Sequence, residues 1–332
     1  MDYIGVVLIS FVGLIAILLI KQFFLRGRLK SVENKHVVIT GGSSGIGKCV
    51  ALSVARRGAH VTIIARDIRK LEAAKSEIIR ACKNKDTQKV ECLSLDIREN
   101  YDHIEKSLHY LENTIGPIYM LVNCAGTAIC GKIEDTTIDS LTHMVNLNLM
   151  GTYYCTKAIV PKMKSAKEGI IVITSSLAAL VGLYGYSAYS CTKFALRGLA
   201  ESVAMELAPY GVSVTLSVPP DTDTPGFAVE ELSKPVETQL ITQSSNPYKP
   251  ELIAEQLIDD ALEGKFFSTV GFEGFMLTTL CAGMSPLSSI SEMILQVMLS
   301  GLLKIIGTCY QVYFRMVIEN CKQKREKEKK FE

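Results

Sequence analysis

The sequence Thr40-Gly41-Gly42-Ser43-Ser44-Gly45-Ile46-Gly47 lies between an apolar run that ends at Thr40 and a helical pattern that begins at Lys48. A glycine-rich turn between a strand and a helix presents backbone N–H groups and the helix N-terminus to a pyrophosphate. The turn therefore predicts a dinucleotide site after the first strand. Its predicted cofactor-binding residues are Gly41, Ser43, Ser44, Gly45, Ile46 and Gly47.

Short β-branched runs alternate with helical patterns between residues 35 and 270. This alternation predicts a parallel sheet with helices on both faces, and several runs are apolar almost throughout, as such a sheet requires. The fold class is therefore predicted to be α/β, a single-domain, doubly wound parallel sheet of the Rossmann type. The candidate strands are His36–Thr40, His60–Ala65, Val90–Leu95, Met120–Asn123, Ile170–Thr174 and Ser213–Val218.

The residues after the second strand bear on which dinucleotide is bound. An NAD site would have an acidic residue at this strand end to hold the ribose 2′-OH. Here the strand ends in Ala65-Arg66-Asp67, with Ser43 and Ser44 predicted nearby and Lys70 one turn further on. Arg66 and Lys70 suit a 2′-phosphate, which favours NADPH/NADP+, while Asp67 is suited to capping the next helix.

Two further strand ends carry polar residues that are candidates for cofactor binding. Asp96 follows the third strand, where its carboxylate could accept from an adenine amino group, although a surface capping role fits nearly as well. The fourth strand ends in Asn123-Cys124-Ala125-Gly126, a tight turn of small residues past which a nucleotide ribose could run. Asp96 and Asn123 are therefore predicted cofactor-binding residues.

Tyr189 and Lys193 are four residues apart, and Ser176 lies thirteen residues before the tyrosine. Positions i and i+4 of a helix share one face, about 5–6 Å apart at Cβ. A nearby ammonium favours the phenolate over the phenol, whose pKa is ordinarily about 10. With the Ser176 hydroxyl holding a carbonyl oxygen, these groups could donate a proton as hydride reaches the carbonyl carbon. Tyr-x-x-x-Lys alone is more often an exposed helical pair. The other motifs of the chain therefore have to decide whether this pair is catalytic.

Asn148 lies in the helical pattern of residues 146–151. A buried asparagine in a helix must satisfy its amide, so it either bends the helix or holds a water molecule. With a lysine nearby, such a water could pass protons to the tyrosine.

Five motifs match the short-chain dehydrogenase/reductase family in order and spacing: Thr40-Gly41-x-x-x-Gly45-x-Gly47, Asn123-x-Ala125-Gly126, Asn148, Ser176 and Tyr189-x-x-x-Lys193. The chain resembles this family over residues 35–270. The resemblance implies that the tyrosine is the acid/base, that the lysine lowers its pKa and binds the nicotinamide ribose, and that the asparagine holds the relay water. It also implies that a serine orients the carbonyl. Spacing favours Ser176 and leaves the adjacent Ser175 open.

The loop after the sixth strand departs from the family pattern, which usually has Pro-Gly where this chain has Pro219-Pro220. Proline at 220 removes a donor and fixes φ, so the loop is stiffer. Thr224, in the same loop, is a predicted cofactor-binding residue. With the two hydrophobic ends, this loop resembles that of membrane members that use NADPH to reduce a long-chain lipid ketone on the cytosolic face of the endoplasmic reticulum.

Two alternative functions remain open from the sequence. A steroid or retinoid oxidoreductase of the same family would share every catalytic residue. A catalytically silent, membrane-tethered scaffold need not keep Ser176, Tyr189, Lys193 and Asn148, so their presence argues against it.

The two ends of the chain predict contact with a membrane. Residues 3–20 carry no charge and are followed by Lys21, Arg26, Arg28 and Lys30, which is typical of an uncleaved anchor with the following domain in the cytosol. Residues 275–290 and 293–309 form two short apolar segments, which favour a hairpin or interfacial helices, with packing as a dimer face the alternative. The ending Lys-Lys-Phe-Glu resembles a dilysine retrieval signal of endoplasmic reticulum membrane proteins.

These patterns predict four divisions of the chain. They are residues 1–30 (anchor and basic flank), 31–270 (reductase domain), 271–320 (hydrophobic membrane-associated segments) and 321–332 (basic cytosolic tail). Helix pairs after strands four and five often form dimers in the family, so a homo-oligomer is expected by analogy.

Composition excludes several other classes of protein. A net charge of +2 gives no support for a nucleic-acid partner. The ten cysteines form no Cys-x-x-Cys pair and the five histidines no His-Glu-x-x-His motif, so no metal site is predicted. The scattered cysteines fit a reducing compartment.

Overall fold

The computed structural model describes residues 30–243 and 246–328, together with residues 5, 13, 14 and 17. The predicted N-terminal anchor and the Lys-Lys-Phe-Glu ending lie outside the described residues, apart from those isolated positions.

The core is one sheet of seven strands in the order β3-β2-β1-β4-β5-β6-β7. Every pairing is parallel. The strands are β1 (His36–Thr40), β2 (His60–Ala65), β3 (Val90–Ser94), β4 (Ile118–Asn123), β5 (Gly169–Thr174), β6 (Val212–Ser217) and β7 (Phe267–Ser268). The order reverses between β1 and β4, so a crevice forms at the carboxyl ends of these strands, where ligands bind in doubly wound sheets. The predicted fold class is confirmed for the sheet.

The helices cover both faces of the sheet, and two tight helical segments interrupt the loops. The helices are α1 (Gly45–Arg56), α2 (Ile68–Ala81), α3 (Tyr101–Ile115), α4 (Ile138–Met144), α5 (Thr152–Ala166), α6 (Ser187–Leu207), α7 (Pro225–Glu231), α8 (Val236–Thr242), α9 (Pro250–Leu262), α10 (Gly271–Leu280) and α11 (Ile290–Glu328). A π-helical turn, Val145–Gly151, joins α4 to α5, and 3-10 turns occur at Leu177–Ala179 and Ala208–Tyr210.

Successive residues of the central strands enter opposite cores, because strand side chains alternate between the faces of a sheet. In β1, Val38 packs with Leu121 and Ile171 under α3, α5 and α6. Its neighbours Val37 and Ile39 belong to the other core, with α1, α2 and α9. Burial on both faces explains why these strands are apolar almost throughout.

Lys30, the last residue of the predicted basic flank, contacts the sheet. Lys30, expected in the basic flank, donates from Nζ to Gly169 O at 3.0 Å, Gly211 O at 3.1 Å and Ser213 Oγ at 3.1 Å. Burial lowers the pKa of this ammonium. Lys30 therefore ties the chain to the amino ends of β5 and β6.

The C-terminal region forms α10 and one long helix, α11, where the sequence predicted two short apolar segments and a separate tail. Ser289 and Glu292 form a capping box at its start: Glu292 N donates to Ser289 Oγ at 3.0 Å, and Ser288 N donates to the Glu292 carboxylate at 2.9 Å. The helix then runs on through the predicted tail to Glu328. Among the described residues, α11 alone is long and apolar enough to cross a membrane, judged by length and composition.

Helix α11 contacts α10 and α8 but leaves most of its surface exposed. Only 6% of the most apolar 18-residue stretch of this helix is buried. Leu303 is the one buried residue of α11 in the part of the chain that the structure describes. A side chain at Gly307 would come within 3.1 Å of Leu280, so the glycine allows α11 to approach α10 closely. Arg325 pairs with the buried Glu237 of α8 at 2.5 Å.

His36 at the start of β1 gives the fold a defined pH dependence. Its buried ring bonds Gly116 O and Thr62 Oγ1, both at 2.8 Å, and burial lowers its pKa from 6.5 to about 4. Below pH 6.5 the unfolded chain takes up a proton that the folded protein does not accept until about pH 4. The free energy of unfolding should therefore fall as the pH falls through this window.

We predict that acidification from pH 7.5 to 4.5 costs the protein about 2–3 kcal/mol through His36 alone, at about 1.4 kcal/mol per pKa unit. Denaturant unfolding of wild type and His36→Gln at both pH values measures this, since the variant lacks the imidazole. The free energy of unfolding of wild type minus that of His36→Gln should be about 2–3 kcal/mol smaller at pH 4.5 than at pH 7.5. A difference that does not change with pH would contradict the prediction.

Candidate active site

Helix α6 carries Tyr189 and Lys193 on one face, as their spacing predicted. The Lys193 ammonium lies 5.5 Å from the centroid of the Tyr189 ring. The helix begins at Ser187, so both residues fall in its first two turns, beside the carboxyl ends of β4 and β5.

Lys193 is a buried cation. Its Nζ donates to Thr174 O at 3.2 Å, at the end of β5. Burial lowers the pKa of this ammonium to about 8. The group thus keeps its proton at neutral pH but holds it much less tightly than an exposed lysine does.

Burial acts on the Tyr189 phenol in the direction opposite to the effect predicted for Lys193. We expected Lys193 to lower the pKa of the phenol, but burial and then the charge of Glu230 raise that pKa well above 10. Hydrogen bonding to the Ser176 hydroxyl opposes part of this rise. In the folded chain Tyr189 is therefore protonated at neutral pH, which is the state that a proton donor needs.

The two adjacent serines point to different places. Ser175 is buried and its hydroxyl donates to Lys193 O at 3.0 Å. Ser176 lies beside the Tyr189 phenol, and its Oγ also accepts from Ala178 N at 3.2 Å. Ser176 therefore faces the phenol, while Ser175 fastens the helix that carries the lysine.

Asn148 is buried in the middle of the π-helical turn that joins α4 to α5. Its amide exchanges two bonds with the Thr127 backbone, each of 2.9 Å, and donates to Thr192 Oγ1 at 3.0 Å. Thr192 in turn donates to Tyr189 O at 2.8 Å. The side chain thus links the turn after β4 to α6, and its amide nitrogen is committed to protein partners.

The backbone of the glycine turn packs directly against the backbone that follows β4. Gly41 has φ of +68°, and a Cβ there would lie 2.9 Å from the Ala125 backbone. A Cβ on Gly47 would come within 2.5 Å of Gly41 O. Neither position accepts a side chain, so the turn packs against the end of β4 and leaves the first turn of α1 facing the crevice.

The remaining residues of the turn lead into the first turn of α1. Ser44 precedes α1 without capping it through its side chain, and Ile46 lines the cavity described below. A Cβ on Gly45 would lie 3.2 Å from Thr224 Cγ2, so Thr224 stands across from the turn. Thr224 also caps α7 by accepting from Phe227 N at 3.1 Å.

Arg66 and Lys70 are exposed at the carboxyl end of β2, on the side of the turn. Asp67 caps α2 as predicted, accepting from Arg69 N at 2.9 Å and Lys70 N at 3.2 Å. No ion pair of the Arg66 guanidinium occurs among the described residues, which leaves it able to meet an anion.

Two predicted cofactor-binding residues have other contacts in the structure. Asp96 accepts from the Arg98 guanidinium at 3.0 Å and from Arg98 N at 3.0 Å, which matches the capping alternative. Asn123 is buried within the sheet, where its amide donates to Thr156 Oγ1 and Val172 O, both at 3.3 Å. Asn123 therefore joins β4 to β5 and α5, and it is not among the residues that line the cavity described below.

A cavity of about 590 Å³ extends from this crevice. Ile46, Ser176, Tyr189, Lys193 and Thr224 line one end of it. The other end is lined mainly by apolar and aromatic side chains of α10 and α11, among them Met276, Leu277, Leu280, Tyr310, Tyr313 and Phe314.

The sequence analysis missed three polar residues on the cavity wall: Tyr186, Asp221 and Glu230. The Tyr186 hydroxyl donates to Glu230 at 2.5 Å, and its ring lies 5.5 Å from that of Tyr189. The Glu230–Lys234 spacing of four residues was the one local signal in the sequence, and it does not reveal that the pair faces the tyrosine.

Comparisons with known proteins agree with this geometry. The family model for short chain dehydrogenases matches residues 35–234. The chain belongs to the short-chain dehydrogenase/reductase family. It is 44% identical to a 3-dehydrosphinganine reductase of Danio rerio over 89% of each chain. It is 41% identical to a 3-ketodihydrosphingosine reductase of Bos taurus over 96% of each.

A solved structure with a bound dinucleotide shares the fold. ElxO with NADP bound has a TM-score of 0.61 and 25% identity, covering 71% of this chain and 97% of that one. In the present chain, the uncapped first turn of α1, the close-packed glycine turn and the crevice leading to Lys193 fit a dinucleotide. The turn would hold the pyrophosphate, and Lys193 would lie at the nicotinamide end.

We predict that replacing Ser176 lowers turnover, whereas replacing Ser175 mainly lowers stability. Ser176→Ala should lower kcat by about 100-fold or more, as loss of one donor to a reacting oxygen does, with stability nearly unchanged. Ser175→Ala should keep most of the turnover and lose about 1 kcal/mol of stability, because one buried hydrogen bond is lost. Steady-state kinetics and thermal unfolding of both variants test this. A larger loss of kcat in Ser175→Ala would reverse the assignment.

Proposed function

We propose that this protein reduces the C3 ketone of 3-dehydrosphinganine (3-ketodihydrosphingosine) to sphinganine with NADPH, a step of sphingolipid synthesis. The observation that carries the proposal is the similarity to reductases of that name along nearly the whole chain, including α10 and α11. A family match limited to the dinucleotide-binding half would support only a dehydrogenase of unspecified substrate.

The chemistry follows from the side chains at the crevice. Ser176 donates to the ketone oxygen and holds it beside the Tyr189 phenol. When bound, NADPH supplies the hydride to the carbonyl carbon and leaves as NADP+. Tyr189 donates its proton to the same oxygen, so the ketone becomes a secondary alcohol and the phenol becomes a phenolate. The Lys193 ammonium is charged at neutral pH, below its pKa of about 8, so it stabilises that phenolate. It would also bind the ribose of the cofactor.

Return of a proton to Tyr189 needs a path past Lys193. A side chain on Gly126 would come within 3.2 Å of Asn148 Oδ1 and 3.7 Å of Lys193 Nζ, so the glycine leaves a space between these groups. We propose that a water at this space relays the proton, with Asn148 positioning the backbone of the turn.

The apolar end of the cavity supports a lipid substrate. A hydrocarbon chain attached to the carbonyl carbon would extend from Ser176 towards α10 and α11, where Met276, Leu280 and Phe314 offer apolar surface. Burying each CH₂ is worth about 0.8 kcal/mol, so a long chain gains most of its affinity there.

Arg66 supports the preference for NADPH over NADH. It stands at the end of β2, the strand end that faces the adenosine ribose in this fold, and Lys70 lies one turn further on. We propose that both contact the 2′-phosphate, and that Ser43 and Ser44 lie on the other side of it.

The apolar outer surface of α11 supports association with a membrane. Ile294, Val297, Met298 and Ile305 of this helix are exposed, as is Met284 in the preceding loop. We propose that the protein is held at the endoplasmic reticulum by its N-terminal segment and by this C-terminal region, with the catalytic domain in the cytosol where NADPH is available.

We predict that the purified full-length protein in detergent oxidises NADPH when given 3-dehydrosphinganine and forms sphinganine. Tyr189→Phe should lose at least about 100-fold in turnover because the phenol is the proton donor, while NADPH binding stays within about twofold. Mass spectrometry of the product and titration of NADPH fluorescence measure both effects. Reduction of steroid or retinoid ketones in place of 3-dehydrosphinganine would overturn the substrate, and activity retained by the variant would overturn the role of Tyr189.

We predict that Arg66→Ala weakens NADPH binding by about 10-fold or more and leaves NADH binding unchanged, since a charge-assisted hydrogen bond to the 2′-phosphate is lost. Arg80→Ala removes the same charge from the far end of α2 and serves as the matched control. Competition between the two cofactors for each variant gives the preference. An unchanged preference in Arg66→Ala would remove this residue from the cofactor site.

A further inference from the structure

A carboxylate stands on the cavity wall next to the groups that would meet the ketone. Glu230 is near the end of α7 and lines the same cavity as Ser176 and Tyr189. Its side chain is 14% exposed. One tyrosine ring, that of Tyr186, separates it from Tyr189, since Tyr186 donates to Glu230 and packs beside Tyr189.

The charges around Glu230 do not balance. The Lys234 side chain is fully buried and pairs with three carboxylates. Among the described residues, no other salt bridge reaches any of these three. It contacts Glu231 most closely and lies 3.5 Å from both Glu230 and Asp221. Glu231 is 41% exposed and is absent from the cavity wall, so water can solvate it. Glu230 and Asp221 both line the cavity, and the two carboxylates share a single ammonium that also pairs with Glu231.

An ionised carboxylate in a largely apolar cavity is costly unless a cation or several donors meet it. Glu230 accepts from the Tyr186 hydroxyl, and it shares the Lys234 ammonium, 3.5 Å away, with Asp221 and Glu231. A ligand that brings a positive charge to this point would supply the missing partner. A neutral ketone of the same shape would leave the carboxylates as they are.

The proposed substrate has such a charge in the right place. In 3-dehydrosphinganine the protonated amine is on the carbon adjacent to the ketone carbon. With the ketone oxygen between Ser176 and Tyr189, the ammonium lies two bonds from the reacting carbon. The ammonium therefore lies in the cavity that Glu230 and Asp221 line together with Tyr189.

We propose that Glu230, together with Asp221, binds the protonated amine of the substrate and selects amino ketones over neutral ketones. The inference rests on the proposed function and adds specificity-determining residues to it. The contact also orients the substrate, because the ammonium and the ketone oxygen are held from two sides while the hydrocarbon chain leaves towards α10 and α11.

The alternative is that Glu230 only holds the Tyr186 hydroxyl and so shapes the cavity wall. A shaping role affects every ketone in the same way. A charge-recognition role affects only a substrate that carries the ammonium. The two are separated by the ratio of kcat/KM values for a charged and a neutral ketone.

The test uses Glu230→Gln, which keeps the size of the side chain and an acceptor for Tyr186 but removes the charge. Two substrates are compared with NADPH: 3-dehydrosphinganine and the dihydroxy ketone in which a hydroxyl replaces the amine. We expect the variant to lose about 10- to 100-fold in kcat/KM for the amino ketone, the value of a hydrogen bond between charged groups, and to change less than about twofold for the neutral one.

Glu231→Gln is the matched control, since it removes the same charge from the same ion-pair group without reaching the cavity. Both kcat/KM values should stay within about twofold of wild type. Asp221→Asn is a second variant in case Glu230→Gln folds poorly, which thermal unfolding shows, and it should lower the same ratio by a smaller factor.

Each outcome decides between the proposals. Equal losses for both ketones in Glu230→Gln, or the same selective loss in Glu231→Gln, would overturn the inference and leave the proposed function intact. A wild-type protein that reduces neither ketone would overturn the proposed function itself, and the inference with it.

Discussion

The arrangement of this site depends on one buried ammonium, that of Lys193, held against the carbonyl at the end of β5. Several separate contacts fix where that charge lies. Ser175 binds the lysine's own backbone carbonyl, and Asn148 reaches the same helix through Thr192. Gly126 has no side chain, and a Cβ there would come within 3.2 Å of Asn148 Oδ1 and would contact the ammonium at 3.7 Å. A charge in such surroundings acts strongly on its neighbours because little water screens it, so a small displacement of α6 would change the chemistry of the whole crevice.

Tyr189 lies between that ammonium and the carboxylate of Glu230. Burial and then the negative charge of Glu230 raise the pKa of the phenol, which keeps its proton in place at neutral pH. For a reductase this is the useful state, since the phenol must be protonated before hydride transfer and must lose its proton only as negative charge develops on the substrate oxygen. An ammonium bound at Glu230 would offset the carboxylate and make the phenol a better acid. Binding of the substrate and readiness of the proton donor would then be coupled through a single charge.

Local patterns in the sequence predicted most of the sheet and the catalytic pair. Strand ends agree within two residues, and the pairing of Tyr189 with Lys193 follows from helical spacing alone. The two-residue strand β7 is too short to leave a pattern. The different roles of Ser175 and Ser176, and the burial of Asn123 within the sheet, depend on which way a side chain points after the chain has packed. The sequence analysis predicted two short apolar segments and a separate tail where the structure has the single helix α11. The pattern Ser289-x-x-Glu292 marks where this helix begins.

Helix α11 serves two surfaces at once, and this constrains how a lipid could reach the site. Tyr310 and Phe314 line the cavity, while Ile294, Met298 and Ile305 are exposed to the outside. If the outer surface contacts lipid, as proposed, then the apolar end of the cavity lies directly behind the membrane-facing helix. A hydrocarbon chain could then pass between α10 and α11 without crossing water, and only the polar head of the substrate would have to reach Glu230 and Tyr189. The Arg325–Glu237 ion pair holds the far end of α11 against α8, so motion that admits the chain is expected away from that end.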